Sequence, residues 1–473
     1  MIGSKITSPG GQPGFFFLRL EAAQKLCFRI IMRITSTGLH FPASGIPFFS
    51  EMNLSKAYGG LVRKCLVKDP AKARALVIAG LRMESIRKKL THKKEEPEAL
   101  LALNRTCLEH VASALGKPDK LVCTNIFAPT EILQNFSLQA VSMECLASFL
   151  SGFYLEDYLI DAAEAMGLAS TLCSYHKNFI GALETGLLPK PLFGLTTSTF
   201  CDGNVGTFRL AEQKYGIEMF MIDVPNTCSD ETEKYVTDQL RDLIGFLEDK
   251  TGKKFDIDEL RRCLDRENQS KAHYMSFLEK RKKHSYPSTL TLELFMLFAN
   301  HIELGMPWVL DFYRKMDEEV EKMPCDDGKR FFWVHLLPYY EATLQGAFNL
   351  SKEHSVVTTD FSLDYIEPMD LEHPLEALSR KMLLNNYNGS FERKAALVAK
   401  YAKELECDAV IQFCHWGCKQ SCGGVQMMKE RMREEGIPML ALDGDALDRR
   451  GTFPGQVKTR FEAFLEMLEG GEE

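Results

Sequence analysis

Residues 410–426 read VIQFCHWGCKQSCGGVQ. An apolar, β-branched run ends at Phe413; Cys414, His415, Cys418 and Cys422 follow within nine residues, and Gly423-Gly424 leads into a helical pattern. A strand that passes through a thiol-bearing turn into a helix start suits a thiolate-bound metal or cluster. The free N–H groups and the dipole of a helix N-terminus stabilise thiolates and bridging sulfide.

The same alternation extends outward from this stretch. Strand patterns at 330–337, 354–359, 408–413 and 438–443 alternate with helical patterns at 341–350, 374–385, 391–404, 426–435 and 455–468. An earlier block repeats the layout, with strands expected at 120–127, 191–199 and 217–224 and short elements at 140–152 and 158–166. Strands alternating with helices imply parallel sheets. The expected fold is therefore α/β, with two doubly wound, Rossmann-like or flavodoxin-like, parallel-sheet domains. In such sheets ligands sit beyond the carboxyl ends of the strands.

At 473 residues the chain exceeds one ordinary core. Residues 1–51, rich in Gly, Pro and Ser, are expected to be a poorly ordered extension, with Met52 as an alternative start. Residues 52–118 form a helical region closed by Pro118. Residues 119–325 form the first α/β domain with a helical insert, broken near Gly252 and kinked at Pro307. Residues 326–473 form the second domain, after an acidic, glycine-containing boundary at 324–329.

The net charge of -8 supplies no basic stripe for nucleic acid. No apolar run is long and clean enough to cross a membrane, and charged residues interrupt any signal-peptide core. The fourteen cysteines are therefore expected to be reduced, in a cytoplasmic setting. Most are buried small hydrophobes; those at strand ends and turns, Cys123, Cys173, Cys201, Cys414 and Cys418, are candidate ligands. A zinc site would show tighter pairs, whereas dispersed thiolates suit an iron–sulfur cluster.

The motifs CTNIFAPTEIL (123–133), LCSYHKNFIG (172–181), TTSTFCDG (196–203), GIPMLALDGD (436–445) and GQVKTRFEAFLEML (455–468) occur in this order. Together the chain resembles the 2-hydroxyacyl-CoA dehydratase family (D-component), which includes benzoyl-CoA reductase subunits and double-cubane cluster proteins. The resemblance runs from about residue 52 to the end and is weakest in the middle helices. It implies a hydro-lyase that removes water from a 2-hydroxyacyl-CoA, with Cys123, Cys173 and Cys418 holding a [4Fe-4S] cluster. Cys418 is preferred to Cys414 because its distance to Met428-Lys429 fits the family's helix.

The implied chemistry is radical and redox-neutral. A low-potential electron from an ATP-dependent iron–sulfur activator reduces the thioester carbonyl of the acyl-CoA substrate to a ketyl, which expels the 2-hydroxyl and acidifies the β-hydrogen. A related subunit, or a second copy, is the implied partner. Glu131 is a candidate site base, against a plain helix-dipole role; His415 is a candidate proton or hydrogen-bond donor, against a strand-end structural bond. Trp416 is expected to cover the cluster. His176 and Lys177 are candidates for a coenzyme A phosphate, against a solvated helix face.

Two departures stand out. Asn135-Phe136-Ser137 replaces a small Ala-Ala-Gly turn, and Cys201, Cys414 and Cys422 are extra thiols. These leave open an ATP-driven double-cubane or benzoyl-CoA-type reductase, and a non-catalytic cluster-bearing partner.

Overall fold

The computed structural model describes residues 48–92 and 96–470, with side chains from Leu54 onward. The expected extension lies almost wholly outside the described residues. Three helices, Phe48–Leu66, Pro70–Thr91 and Glu98–Gly116, open the described chain. Asp69 caps the second through the Lys72 N–H, and Pro70 takes its first turn, where no N–H is needed.

Strands β1 (Leu121–Thr124), β2 (Gln139–Ser142), β3 (Phe193–Thr197) and β4 (Met219–Ile222) form a parallel sheet in the order β2-β1-β3-β4. Strands β5 (Lys329–Val334), β6 (His354–Thr359), β7 (Ala409–His415) and β8 (Met439–Gly444) form a second, in the order β6-β5-β7-β8. The two orders are the same. β1, β3 and β7 are buried at every position, which is why they show no apolar–polar alternation.

Strand order reverses between β1 and β3 in one sheet and between β5 and β7 in the other. The carboxyl ends of those four strands are where a doubly wound sheet opens a crevice.

The expected 120–127 strand ends at Thr124 because the chain turns there: the Asn125 side chain donates to Thr197 Oγ1 (3.1 Å) and accepts from the Thr197 N–H (3.2 Å). The 140–152 segment divides into β2 and a helix, Met143–Ser151, capped by Ser142. The insert divides where expected, into Asp230–Thr251 and Ile257–Lys280, with Gly252 left-handed after the first. At 290–322 the break is complete rather than a kink. Leu290–His301 ends, Gly305 turns at φ +85°, and Pro307 starts Pro307–Val320. Among the described residues no helix is long and apolar enough to cross a membrane.

Candidate active site

Three cysteines stand at helix N-caps that face the crevice. Cys173 caps Ser174–Glu184, Cys201 caps Asp202–Tyr215 after β3, and Cys418 caps Lys419–Cys422 after β7. All three thiols feel one another. Burial pushes Cys173 well above the ordinary thiol range, and the Cys418 and Cys201 sulfurs add to the shift. Burial, then Cys418, raises Cys201 to about 11. Against this, first-turn N–H groups favour each thiolate: Tyr175 at Cys173, Gly203 and Asn204 at Cys201, Ser421 and Gln420 at Cys418.

Each thiol also meets an imidazole. Cys173 Sγ lies 3.2 Å from His415 Nε2, Cys418 Sγ 3.6 Å from His335 Nε2, and Cys201 Sγ 3.6 Å from His176 Nε2. Burial lowers the pKa of all three rings: His176 to about 4, His335 well below its usual range, and His415 in the same direction. All three are therefore neutral near pH 7. For His415 the tautomer follows from its other nitrogen. Nδ1 accepts the Ala446 N–H at 3.0 Å, so the proton sits on Nε2 and is aimed at Cys173.

Contacts across the domain seam hold the turns in place. Gln420 Nε2 donates to the Phe200 carbonyl at 2.8 Å, tying the Cys418 turn to the residue before Cys201. Ser174 Oγ donates to Asp445 Oδ1 at 2.8 Å. Gly417, at φ +77°, lies so close to the Cys173 segment that a Cβ would come within 2.6 Å of the Cys173 nitrogen. Only glycine suits both the conformation and that approach.

Behind Cys418 lies a charged network. Asp360, fully buried, accepts the His335 N–H (2.8 Å) and the Tyr387 hydroxyl (2.6 Å) and pairs with Lys394 Nζ (2.9 Å). Two non-glycine residues at strand exits, Phe200 (φ +81°) and His335 (φ +73°), adopt left-handed backbone, which costs on the order of 1–3 kcal/mol and concentrates at functional sites. Their rings stack at 6.0 Å inside a small aromatic cluster with Phe127, Phe361 and Tyr387.

Glu144 completes the site from the end of β2. Both carboxyl oxygens are shut away from solvent without closing a full hydrogen bond. Burial raises this group to about 7; backbone N–H groups of Glu144 and Ile126 and the Ser142 hydroxyl oppose the rise only in part. Its charge acts on the Cys201 thiol.

The expected residues divide. Cys173, Cys418 and His415 come together, although His415 serves Cys173 rather than Cys418. Cys123 stands in β1 between Val141 and Gly194, and burial alone moves its thiol, to about 12, with no other cysteine among the causes. Glu131 belongs to a separate buried charge cluster, with its Oε1 2.6 Å from Lys381 Nζ, which also holds Glu267 at 2.8 Å. His176 faces Cys201 and Thr207, and Lys177 is buried against Glu164 (2.7 Å) and the Ser170 carbonyl (2.8 Å), so neither presents a solvated helix face to a phosphate. Trp416 is 41% exposed and packs on Phe453. The departure at Asn135-Phe136-Ser137 is a local one: Asn135 bonds the Asp256 backbone and Phe136 fills the core.

Reading the sequence missed His335 and Glu144. The signal for His335 is that it immediately follows a buried strand, WVH, at the same topological place as Asn125.

Comparison with known proteins agrees with this architecture. Residues 125–468 match the family described as 2-hydroxyglutaryl-CoA dehydratase, D-component. The (R)-2-hydroxyisocaproyl-CoA dehydratase alpha subunit of Clostridioides difficile is 25% identical over 407 residues, 79% of this chain and 97% of the relative. The (R)-phenyllactyl-CoA dehydratase alpha subunit of Clostridium sporogenes is 23% identical over 73% of this chain and 88% of its own length. A benzoyl-CoA reductase polypeptide of Thauera aromatica is 24% identical over 66% of this chain and 80% of its own. The family match spans well over half the chain and takes in the second sheet, three strands of the first and the three N-capping cysteines, so the protein belongs to the 2-hydroxyglutaryl-CoA dehydratase D-component family, whose dehydratase members are hydro-lyases.

Proposed function

We propose that this chain is the cluster-holding subunit of a 2-hydroxyacyl-CoA dehydratase, with Cys173, Cys201 and Cys418 as ligands of a [4Fe-4S] cluster. The observation that carries the reading is the convergence of three N-capping thiols from both domains onto one crevice. The donor set fits: three soft ligands leave one iron without a protein thiolate, and amide N–H groups and neutral imidazoles surround them. Cys201 replaces Cys123 in the set because Cys201 shares the field of the other two thiols and Cys123 does not. Bound there, the cluster supplies one-electron and Lewis-acid chemistry after activation by a separate ATP-dependent iron–sulfur protein.

The chain's own residues do the rest. His415 holds a proton on Nε2 and donates it as a hydrogen bond to the Cys173 sulfur, which draws charge off that ligand. His335 and His176 are placed to do the same at Cys418 and Cys201. Glu144, poised near 7, is the carboxylate suited to take the proton from the carbon β to the thioester once the hydroxyl has left. The aromatic cluster keeps bulk water from this end of the crevice. The alpha-subunit names of the relatives support a sister subunit as partner.

Anaerobic reconstitution with iron and sulfide tests the assignment. About four irons are expected in wild type and in C123S, and a loss of most of the iron in C201S and C418S. Iron retained in C201S but lost in C123S would restore the sequence-derived set. An iron-free wild-type chain would end the proposal. Activity with activator, sister subunit and a 2-hydroxyacyl-CoA then separates a catalytic from a supporting role.

A further inference from the structure

Cys414 and Cys422 take no part in the site just described. Side chains alternate across a strand. His415, fully buried, turns toward Cys173, so Cys414 turns to the other face of β7, where its register partner is Asp443 of β8. The short helix Lys419–Cys422 folds back over that strand, pinned by Gln412 Nε2 donating to the Ser421 carbonyl at 2.7 Å. This brings Cys422 onto Cys414. Each of the two thiols acts on the other, and Cys422 Sγ donates toward the His415 carbonyl at 3.3 Å. Cys422 is exposed and Cys414 is buried beneath it. Asp443 and Lys429 are the charged groups that act on the pair.

The geometry points to a dithiol–disulfide couple at Cys414 and Cys422, open to small-molecule disulfides from the solvent side. An exposed thiol stacked on a buried one gives the two sulfurs different tasks. Cys422 thiolate attacks one sulfur of a low-molecular-weight disulfide, RSSR, and expels one RS⁻. Cys414, losing its proton to water, then attacks the Cys422 sulfur of the mixed disulfide and expels the second RS⁻. The two leaving thiolates take up the protons, so RSSR gains two electrons, the protein loses two, and two RSH are released. Gln412 and Cys414 share a face of β7, so the helix that Gln412 holds sets Cys422 over Cys414, and the two sulfurs close from there to the S–S length of about 2 Å. The closed link would lash the last residue of the Cys418 helix to β7.

The test uses the full-length chain, purified without oxygen, treated with oxidised glutathione, alkylated and digested with trypsin. Cleavage after Lys403, Lys419 and Lys429 places Cys407, Cys414 and Cys418 on peptide 404–419 and Cys422 on peptide 420–429. The expected product is those two peptides joined and two hydrogens lighter than their sum, with fragmentation placing the link at Cys414 and alkyl groups on Cys407 and Cys418. Reduction should release both peptides. C414S should lose the link and accumulate glutathione on Cys422, and C422S should leave Cys414 unmodified. The exposed thiols Cys228 and Cys325 should form mixed disulfides only, as internal controls. The proposal is overturned by a Cys418–Cys422 link. It is equally overturned by a stable glutathione adduct on Cys422 in wild type at the yield seen in C414S, or by no change at Cys422 while Cys228 reacts. None of these readouts depends on a bound cluster, so their failure leaves the dehydratase reading standing.

Discussion

The two sheets share a strand order, yet their switch points are finished differently. In the first, the residue after β1 is Asn125, and its amide closes the crevice by bonding Thr197 at the end of β3. In the second, the residue after β5 is His335 and the last residue of β7 is His415, and both imidazoles face sulfur. Each sheet still places one N-capping cysteine after its second central strand, Cys201 after β3 and Cys418 after β7. One scaffold used twice thus gives a sewn half and a chemical half. The switch point of the second sheet rests on the buried Asp360–Lys394 ion pair, whereas that of the first is closed by neutral hydrogen bonds.

The most disruptive way to break that contrast is Asp360→Ala. It leaves the Lys394 ammonium buried without its counter-charge and strips His335 and Tyr387 of an acceptor. A loss of about 3–5 kcal/mol in denaturant unfolding is expected. Gly417→Ala attacks the seam itself. The left-handed turn and the clash with the Cys173 backbone together cost about 2–5 kcal/mol, and cluster loading should fall even where the chain still folds. Stability unchanged in this variant would show that the two halves do not press together there.

Glu144→Gln sharpens the comparison through pH. Burial raises the folded-state carboxyl to about 7, above its unfolded value, so the stability it lends is complete below about pH 4 and lost as pH climbs through 7. Wild type should therefore weaken relative to E144Q by about 3 kcal/mol between about pH 4.5 and about pH 7.5. Parallel curves would mean that the carboxyl is not held in a dry place. Asn125→Ala should have the smallest effect, about 1–3 kcal/mol, because it unpairs only the neutral groups of Thr197. A larger cost than that of D360A would invert the assignment of sewn and chemical halves.

Much of the scaffold was legible in the chain. β6 and the helix Phe391–Glu404 match their expected limits residue for residue, because apolar periodicity and turn residues are local signals. Cys173, Cys418 and His415 were equally visible beside their turns. The third thiol of the proposed set was not. Cys123 sits in a motif next to a proline and a glutamate and looked chemical, yet it is buried within a sheet; Cys201 looked like an extra thiol, yet the order of the strands carries it to the crevice. The pairing of Glu131 was hidden for a related reason, since its buried partners Lys381 and Glu267 come from far along the chain, Lys381 from 250 positions away. Which carboxylate keeps a partner and which, like Glu144, is left without one is decided by packing between distant segments, and no local pattern records it.

The Gly417–Cys173 contact also bears on when the site can come into being during synthesis. Cys173 and Cys201 leave the ribosome with the first half of the chain, but Cys418 and the glycine that fits against Cys173 emerge near the end, and β8, which flanks β7, emerges later still. The first two thiols are therefore made well before the third, with the residues from 202 to 417 still to follow. On the proposed function, cluster assembly would follow translation, once the second sheet has docked on the first.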